Sequence, residues 1–118
     1  MARILIVEDE PLIAMMSGEW LEELGHVMVG PAHDLETALV LVEGDLDGAI
    51  LDVTLGRDTS YPAADRLSER GVPFAFSTGH GPEGLDAKRR DVPQLAKPFE
   101  FDSFRAVVEA LLTAPPGG

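Results

Sequence analysis

Five short apolar runs, none longer than seven residues, are spread along the chain: Ile4–Val7, His26–Val29, "GAILDV", "VPFAFST" and "VPQLA". Runs of this length bounded by turn-forming residues read as buried β-strands. The segments between them carry a helical period. Ile13, Met16, Trp20 and Leu24 recur at helical spacing after Pro11, which suits a first helical turn, and Gly25 closes that element. Asp34 is positioned to cap a second helix that carries Ala38, Leu39, Leu41 and Val42 up to Gly44. A polar loop from Thr54 to Pro62 leads to a third helix ending near Gly71. The turn chemistry of "GHGPEG" leaves room for only a short helix between Leu85 and Asp91, and Phe101–Leu112 supplies the last, with Phe104, Val107, Val108, Leu111 and Leu112 on one face.

Strands that alternate with helices in this way pair in parallel through right-handed crossovers and are covered by helices on both faces. The expected fold is a doubly wound α/β sandwich around a five-stranded parallel sheet. A chain of 118 residues supports one such domain, here residues 1–113, with the "APPGG" of 114–118 expected as a disordered tail.

In an open parallel sheet the loops that follow the strands gather along one edge, where ligands bind. Asp9 follows the first strand, Asp52 ends the third, Thr78 ends the fourth and Lys97 follows the fifth, so the four should converge. Each alone has a bland explanation: Asp9 or Glu10 can cap the helix beginning near Pro11, Thr-Gly is a turn, and Lys-Pro is a common dipeptide. As a group they do not. Several carboxylates a few ångströms apart repel one another unless a cation neutralises them, and carboxylate oxygens with room for water suit Mg²⁺. Beside such an ion Asp52 can attack phosphorus in line, with Lys97 as a second countercharge and Thr78 donating a hydroxyl hydrogen bond to a third oxygen.

Nine basic against twenty-one acidic residues give a formal charge of -12, which repels a nucleic-acid backbone. Lys88, Arg89 and Arg90, bracketed by Asp86 and Asp91, read as solvated surface. No apolar run approaches the length of a membrane helix, the first residues are too short for a signal peptide, and there is no cysteine, so a cytoplasmic address is expected. His26, His33 and His80 fall on separate elements without metal-ligand spacing, which argues against zinc; His80, two places after Thr78, is expected to border the path of attacking water.

In their order and spacing, "ILIVEDEP", "AILDVTL", "FSTG" and "AKPF" resemble the receiver domain of bacterial two-component response regulators, over almost the whole chain. The resemblance implies a flavodoxin-like sheet of strand order 2-1-3-4-5 and an Asp52 that accepts a phosphoryl group from a histidine kinase or histidine phosphotransfer protein. It implies Mg²⁺ held by Glu8, Asp9, Asp52 and the carbonyl of Thr54, with Asp9 the direct ligand of the acid pair and Glu8 acting through water. Thr78 and Lys97 would bind the phosphoryl oxygens, and the Lys97–Pro98 bond would be cis and aim the lysine inward. Such a protein is not an enzyme beyond its own phosphorylation and dephosphorylation. It signals through altered protein contacts, on the face made by the short fourth helix, the fifth strand and the last helix, or acts as a phosphate sink. It would be a monomer or weak homodimer with an unknown downstream partner.

The chain departs from the receiver pattern at Gln94, three residues before the lysine, where many receivers carry a Tyr or Phe that moves with the threonine. "PFAFSTGHG" is similar to the PFxFATG[GY] motif of the FAT GUY receivers, stand-alone regulators of alphaproteobacteria, with Ser77 for the usual Ala and His80 for the Gly or Tyr. That similarity implies a switch built around the Gly-rich loop from Gly79 to Gly84. The alternative is a pseudo-receiver, a binding module that keeps the fold and ignores phosphate; against it stand Asp9, Asp52, Thr78 and Lys97, all present. An aspartate-nucleophile phosphatase would place an acid where this chain has Thr54, and a flavin phosphate would be repelled by the acids at the mouth.

Overall fold

The computed structural model describes residues 1–79, 85–86, 89 and 91–113. The chain runs β1 (Arg3–Val7), α1 (Pro11–Glu23), β2 (Val27–Ala32), α2 (Leu35–Leu41), β3 (Gly48–Asp52), β4 (Thr54–Leu55), β5 (Asp58–Thr59), α3 (Tyr61–Glu69), β6 (Phe74–Thr78), β7 (Gln94–Ala96) and α4 (Phe101–Thr113). Five of the strands form a parallel sheet in the order β2-β1-β3-β6-β7. Counted along the sheet's own strands this is the expected 2-1-3-4-5.

Alternation along the strands builds two cores, because successive side chains leave a strand on opposite faces. Leu5, Val7, Leu51 and Phe76 point to one face, where Ala38 and Val42 of the α2 region and Ala63, Ala64 and Leu67 of α3 cover them. Ile4, Ile6, Ile50 and Ala75 point to the other, beneath Leu21 of α1 and Phe104, Val108 and Leu111 of α4. Trp20 joins α1 to the start of α4 through edge-on contacts with Phe99, Phe101 and Phe104, at centroid distances of 6.1, 5.6 and 5.4 Å. Asp34 caps α2 as expected, accepting from the Thr37 amide at 2.7 Å.

Three sequence expectations need correction. The second strand does not stop at Val29: it continues through Gly30 and Pro31 to Ala32, with one extra residue between the pairs Leu5–Val29 and Val7–Ala32. Gly-Pro reads as a break, yet an edge strand tolerates proline, and Gly30 takes the left-handed φ of 95° that the bulge requires. The loop after Asp52 is not wholly irregular, since β4 and β5 pair as a small antiparallel hairpin turned at Gly56 (φ 63°) and Arg57. Arg89 is not solvated surface: it is 9% exposed and paired with Asp65 and Asp86. Its charges lie close in space although only Asp86 is close in sequence.

Lys88, Arg90, His80, the loop from Gly79 to Gly84 beyond its first residue, most of the short helix expected between Leu85 and Asp91, and the tail 114–118 lie outside the described residues.

Candidate functional site

The carboxyl edge of the sheet assembles the site by strand pairing. Register sets Asp52 beside Ser77 and Thr78 beside Ala96. Lys97 then donates its amide to the Thr78 carbonyl at 2.8 Å, and Val53 donates to Ser77 at 3.3 Å. On the other side, the Glu8 amide donates to the Ala32 carbonyl at 2.9 Å, so the end of β2 fixes where the acid pair begins. The Lys97–Pro98 peptide is cis.

Glu8, Asp9 and Asp52 each bring a carboxylate oxygen into one cluster, the three atoms within 4.8 Å of one another. Lys97 Nζ lies 2.9 Å from Glu8 Oε1 and 3.1 Å from Asp52 Oδ2. The cleft above them measures about 230 Å³ and is lined by Asp9, Asp52, Val53, Thr54, Gly56, Thr78, Gly79 and Lys97. Glu8, Asp9, Asp52, Thr54, Thr78 and Lys97 therefore lie in or against one site. Glu10 stays outside the cluster, its amide donating to Glu8 Oε2 at 3.2 Å.

The helical explanation for the acids fails here. Glu10 occupies the position before α1 but makes no side-chain cap, and the first turn of α1 carries no acid. Asp9 instead accepts from the Gly56 amide at 3.3 Å, across the cleft.

Burial and crowding set the electrostatics. Desolvation, reinforced by the neighbouring Asp52, pushes the Glu8 carboxyl up to about 7 despite Lys97. Desolvation also raises Asp52 above its ordinary value, against the pull of Lys97. Burial would lower Lys97, but hydrogen bonding and attraction to Glu8, then attraction to Asp52, overturn it, and its pKa is raised. One ammonium thus serves a cluster that, fully ionised, has more negative charge than it can balance. Such a cluster fits a hard divalent cation: the donors are all oxygens, and the cleft leaves room for water.

Two neighbours of the site were not marked from the sequence. The Gly56 amide reaches Asp9 only because the hairpin folds back, and nothing in "TLGRDTS" announces that. His33 Nδ1 lies 2.9 Å from the Glu8 carbonyl. It directly follows β2 as Glu8 directly follows β1, a placement hidden when the second strand is read as ending at Val29.

The site is thus an open α/β sheet with a buried aspartate at the end of its central strand and a lysine reaching it from the edge, and comparison with known proteins gives its class. No protein-family model matches the chain. The solution structure of SdrG from Sphingomonas melonis Fr1 has a TM-score of 0.85 and is 46% identical, over 96% of this chain and 98% of that one. The BeF3-activated conformation of SdrG, given as from Pseudomonas melonis Fr1, has a TM-score of 0.81 at 47% identity, over 94% of this chain and 96% of that one. Among curated proteins, the transcriptional regulatory protein PdtaR of Mycobacterium tuberculosis is 35% identical over 91% of this chain and 55% of its own length. The phyllosphere-induced regulator PhyR of Methylorubrum extorquens is 37% identical over 92% of this chain and 43% of its own. The chain spans about half the length of the curated relatives it matches. It belongs to the receiver domains of two-component response regulators. Within that family it stands with the alphaproteobacterial SdrG and PhyR type. Among the described residues, no helix is long and apolar enough to cross a membrane.

Proposed function

We propose that this receiver accepts a phosphoryl group on Asp52 from a phosphohistidine of a histidine kinase or phosphotransfer protein. The observation that carries the reading is the shared ammonium: Lys97 lies within 3.1 Å of both Glu8 and Asp52, two buried carboxyls that would otherwise face each other uncompensated. In the transfer an Asp52 oxygen forms the new bond to phosphorus as the phosphorus–nitrogen bond breaks, and the electron pair leaves with the imidazole. Lys97 exchanges its contact with the carboxylate for one with a phosphoryl oxygen, and the Thr78 hydroxyl donates to another. Water later attacks phosphorus, and Asp52 leaves as a carboxylate. The chain's chemistry is confined to this gain and loss of its own phosphoryl group.

Glu8, Asp9, Asp52 and the Thr54 carbonyl are the residues that would hold Mg²⁺, which when bound offsets the charge on the transferring oxygens. The phosphorylated protein acts in the cytoplasm through changed contacts with a downstream protein, or drains phosphoryl groups from a relay, as a monomer or weak homodimer. No contact with nucleic acid or membrane is involved. Residues 1–113 constitute the acting domain.

The test is intact-mass measurement after incubation with Mg²⁺ and acetyl phosphate. One added phosphoryl group is expected, absent from Asp52→Asn and from samples treated with a chelator. A native protein that gains no mass and binds no BeF3⁻ would instead be a phosphate-indifferent binding module.

A further inference from the structure

Arg89 stands outside the phosphoacceptor site and is nonetheless buried, at 9% exposure. Three groups hold it. Its Nη2 reaches both oxygens of Asp65, at 2.7 and 3.0 Å, and its Nη1 donates to Asp86 Oδ2 at 2.5 Å. Its guanidinium lies 4.1 Å from the centroid of the Tyr61 ring. The Tyr61 hydroxyl closes the set by accepting from the Asp86 amide at 3.2 Å. Asp86 and Arg89 are thereby fastened to α3 by charge, while Leu85 and Val92 pack in the same apolar cluster as Ala63, Ala64 and Leu67.

An arginine drawn in against carboxylates that stay 58% and 47% exposed is a poor device for stability alone, since ion pairs with solvated partners add little. Its better-attested use is to hold one arrangement against another. The latch is also wired to the site. Tyr61 meets Phe76 edge-on at 5.8 Å, and Phe76 lies two residues before Thr78 on β6, so both project to the same face. On its other side Tyr61 starts α3 one residue after the hairpin whose Gly56 amide bonds Asp9.

We propose that Arg89, Tyr61, Asp65 and Asp86 form a latch that holds Asp86 and Arg89 against α3 in the unphosphorylated arrangement, and that charge added at Asp52 opens it through Thr78, Phe76 and Tyr61. The latch rests on the phosphoacceptor reading of Asp52. Coupling of this kind is reciprocal: a contact that favours the unphosphorylated arrangement weakens binding of a phosphoryl analogue, and its removal strengthens it.

The experiment titrates BeF3⁻ at saturating Mg²⁺, read by the Thr78 amide resonance, in the native protein, Arg89→Gln, Tyr61→Phe and Val108→Ala. Arg89→Gln should reach half-saturation at about one-fifth of the native concentration or less. Tyr61→Phe keeps the ring and loses only the acceptor for Asp86, so its midpoint should fall between; it also serves where Arg89→Gln does not fold. Val108→Ala loosens the opposite core and should leave the midpoint unmoved. Midpoints of Arg89→Gln and Tyr61→Phe equal to or above the native one overturn the latch while leaving Asp52 as phosphoacceptor. A native protein that binds no BeF3⁻ overturns both.

Discussion

Lys97 and Asp52, separated by 45 residues of sequence, meet with Nζ 3.1 Å from Oδ2. The meeting is enforced from the backbone: β7 pairs with β6, β6 pairs with β3, and the loops leaving them end at the same mouth. The lysine is held by its main chain before its side chain makes any contact, so a substitution there should change charge without moving the frame. That separation makes the site open to quantitative test.

Lys97→Met removes the ammonium and keeps the aliphatic stem. Glu8 and Asp52 are then left in a buried site with no positive partner, and the Glu8 carboxyl should titrate above its native value of about 7. Carbon-13 NMR of the Glu8 carboxyl across pH 4 to 9 reads this directly. The yield of phosphorylated protein from acetyl phosphate should fall by about tenfold or more, because a charge-assisted contact to the incoming oxygens is lost. An unchanged Glu8 titration would mean that Lys97 does not set the local field.

The raised Glu8 pKa fixes the sign of a pH effect on stability. The folded state holds the Glu8 proton from its ordinary value of 4.5 up to about 7, whereas the unfolded chain has released it. Over that interval the native state binds more protons, so this group's contribution is full below 4.5 and is lost as pH rises through 7. Lys97 remains charged throughout and does not reverse the trend. Urea denaturation of metal-free protein at pH 5 and pH 8, with Glu8→Gln as reference, should show the native protein losing about 1–3 kcal/mol more than the variant.

How much of this could be read from the sequence depended on the range of the forces involved. The five strands and the convergence of Asp9, Asp52, Thr78 and Lys97 follow from apolar runs and from the edge rule for parallel sheets, which depend only on local pattern and chain direction. Ala32 and the hairpin at Gly56 were missed because each depends on a partner strand or a glycine at positive φ, which a propensity reading scores as a break. Arg89 was misread for a similar reason. Its neighbours Lys88 and Arg90 made it look like one of a solvated cluster, while Asp65 and Tyr61, the groups that draw it inward, lie more than twenty residues upstream. His33 differs from these: the edge rule would have flagged it had the second strand been extended to Ala32.

Mg²⁺ should stabilise the protein more strongly at pH 8 than at pH 5.5. At the lower pH Glu8 is protonated, and the ion must displace a proton to gain that negative charge beside it; at the higher pH the charge is already present. Thermal unfolding with and without excess Mg²⁺ at the two values measures the difference. At one hundred times its dissociation constant the ion adds about 2.7 kcal/mol. Asp52→Asn should weaken the effect by removing a donor charge. Equal shifts at both pH values would show that the ion binds away from Glu8.

Gly30 stands far from the chemistry in sequence and yet should control it. Its φ of 95° disfavours any side chain, and a Cβ there would come within 2.8 Å of the Ala32 amide nitrogen, a backbone atom that cannot swing aside. To relieve the contact the end of β2 must move. The Ala32 carbonyl that would move with it is the acceptor for the Glu8 amide at 2.9 Å, so the shift reaches the first acid of the cluster. Gly30→Ala should therefore cost about 1–3 kcal/mol in stability and also weaken Mg²⁺ binding. Gly25→Ala supplies the comparison: its φ of 86° carries a similar backbone penalty, but no atom lies within 4 Å of the added Cβ and the residue lies at the opposite end of β2. Isothermal titration with Mg²⁺ should find Gly25→Ala like the native protein and Gly30→Ala several-fold weaker. Equal affinities would mean that the acid pair is positioned by β1 alone and that the bulge in β2 serves only the fold.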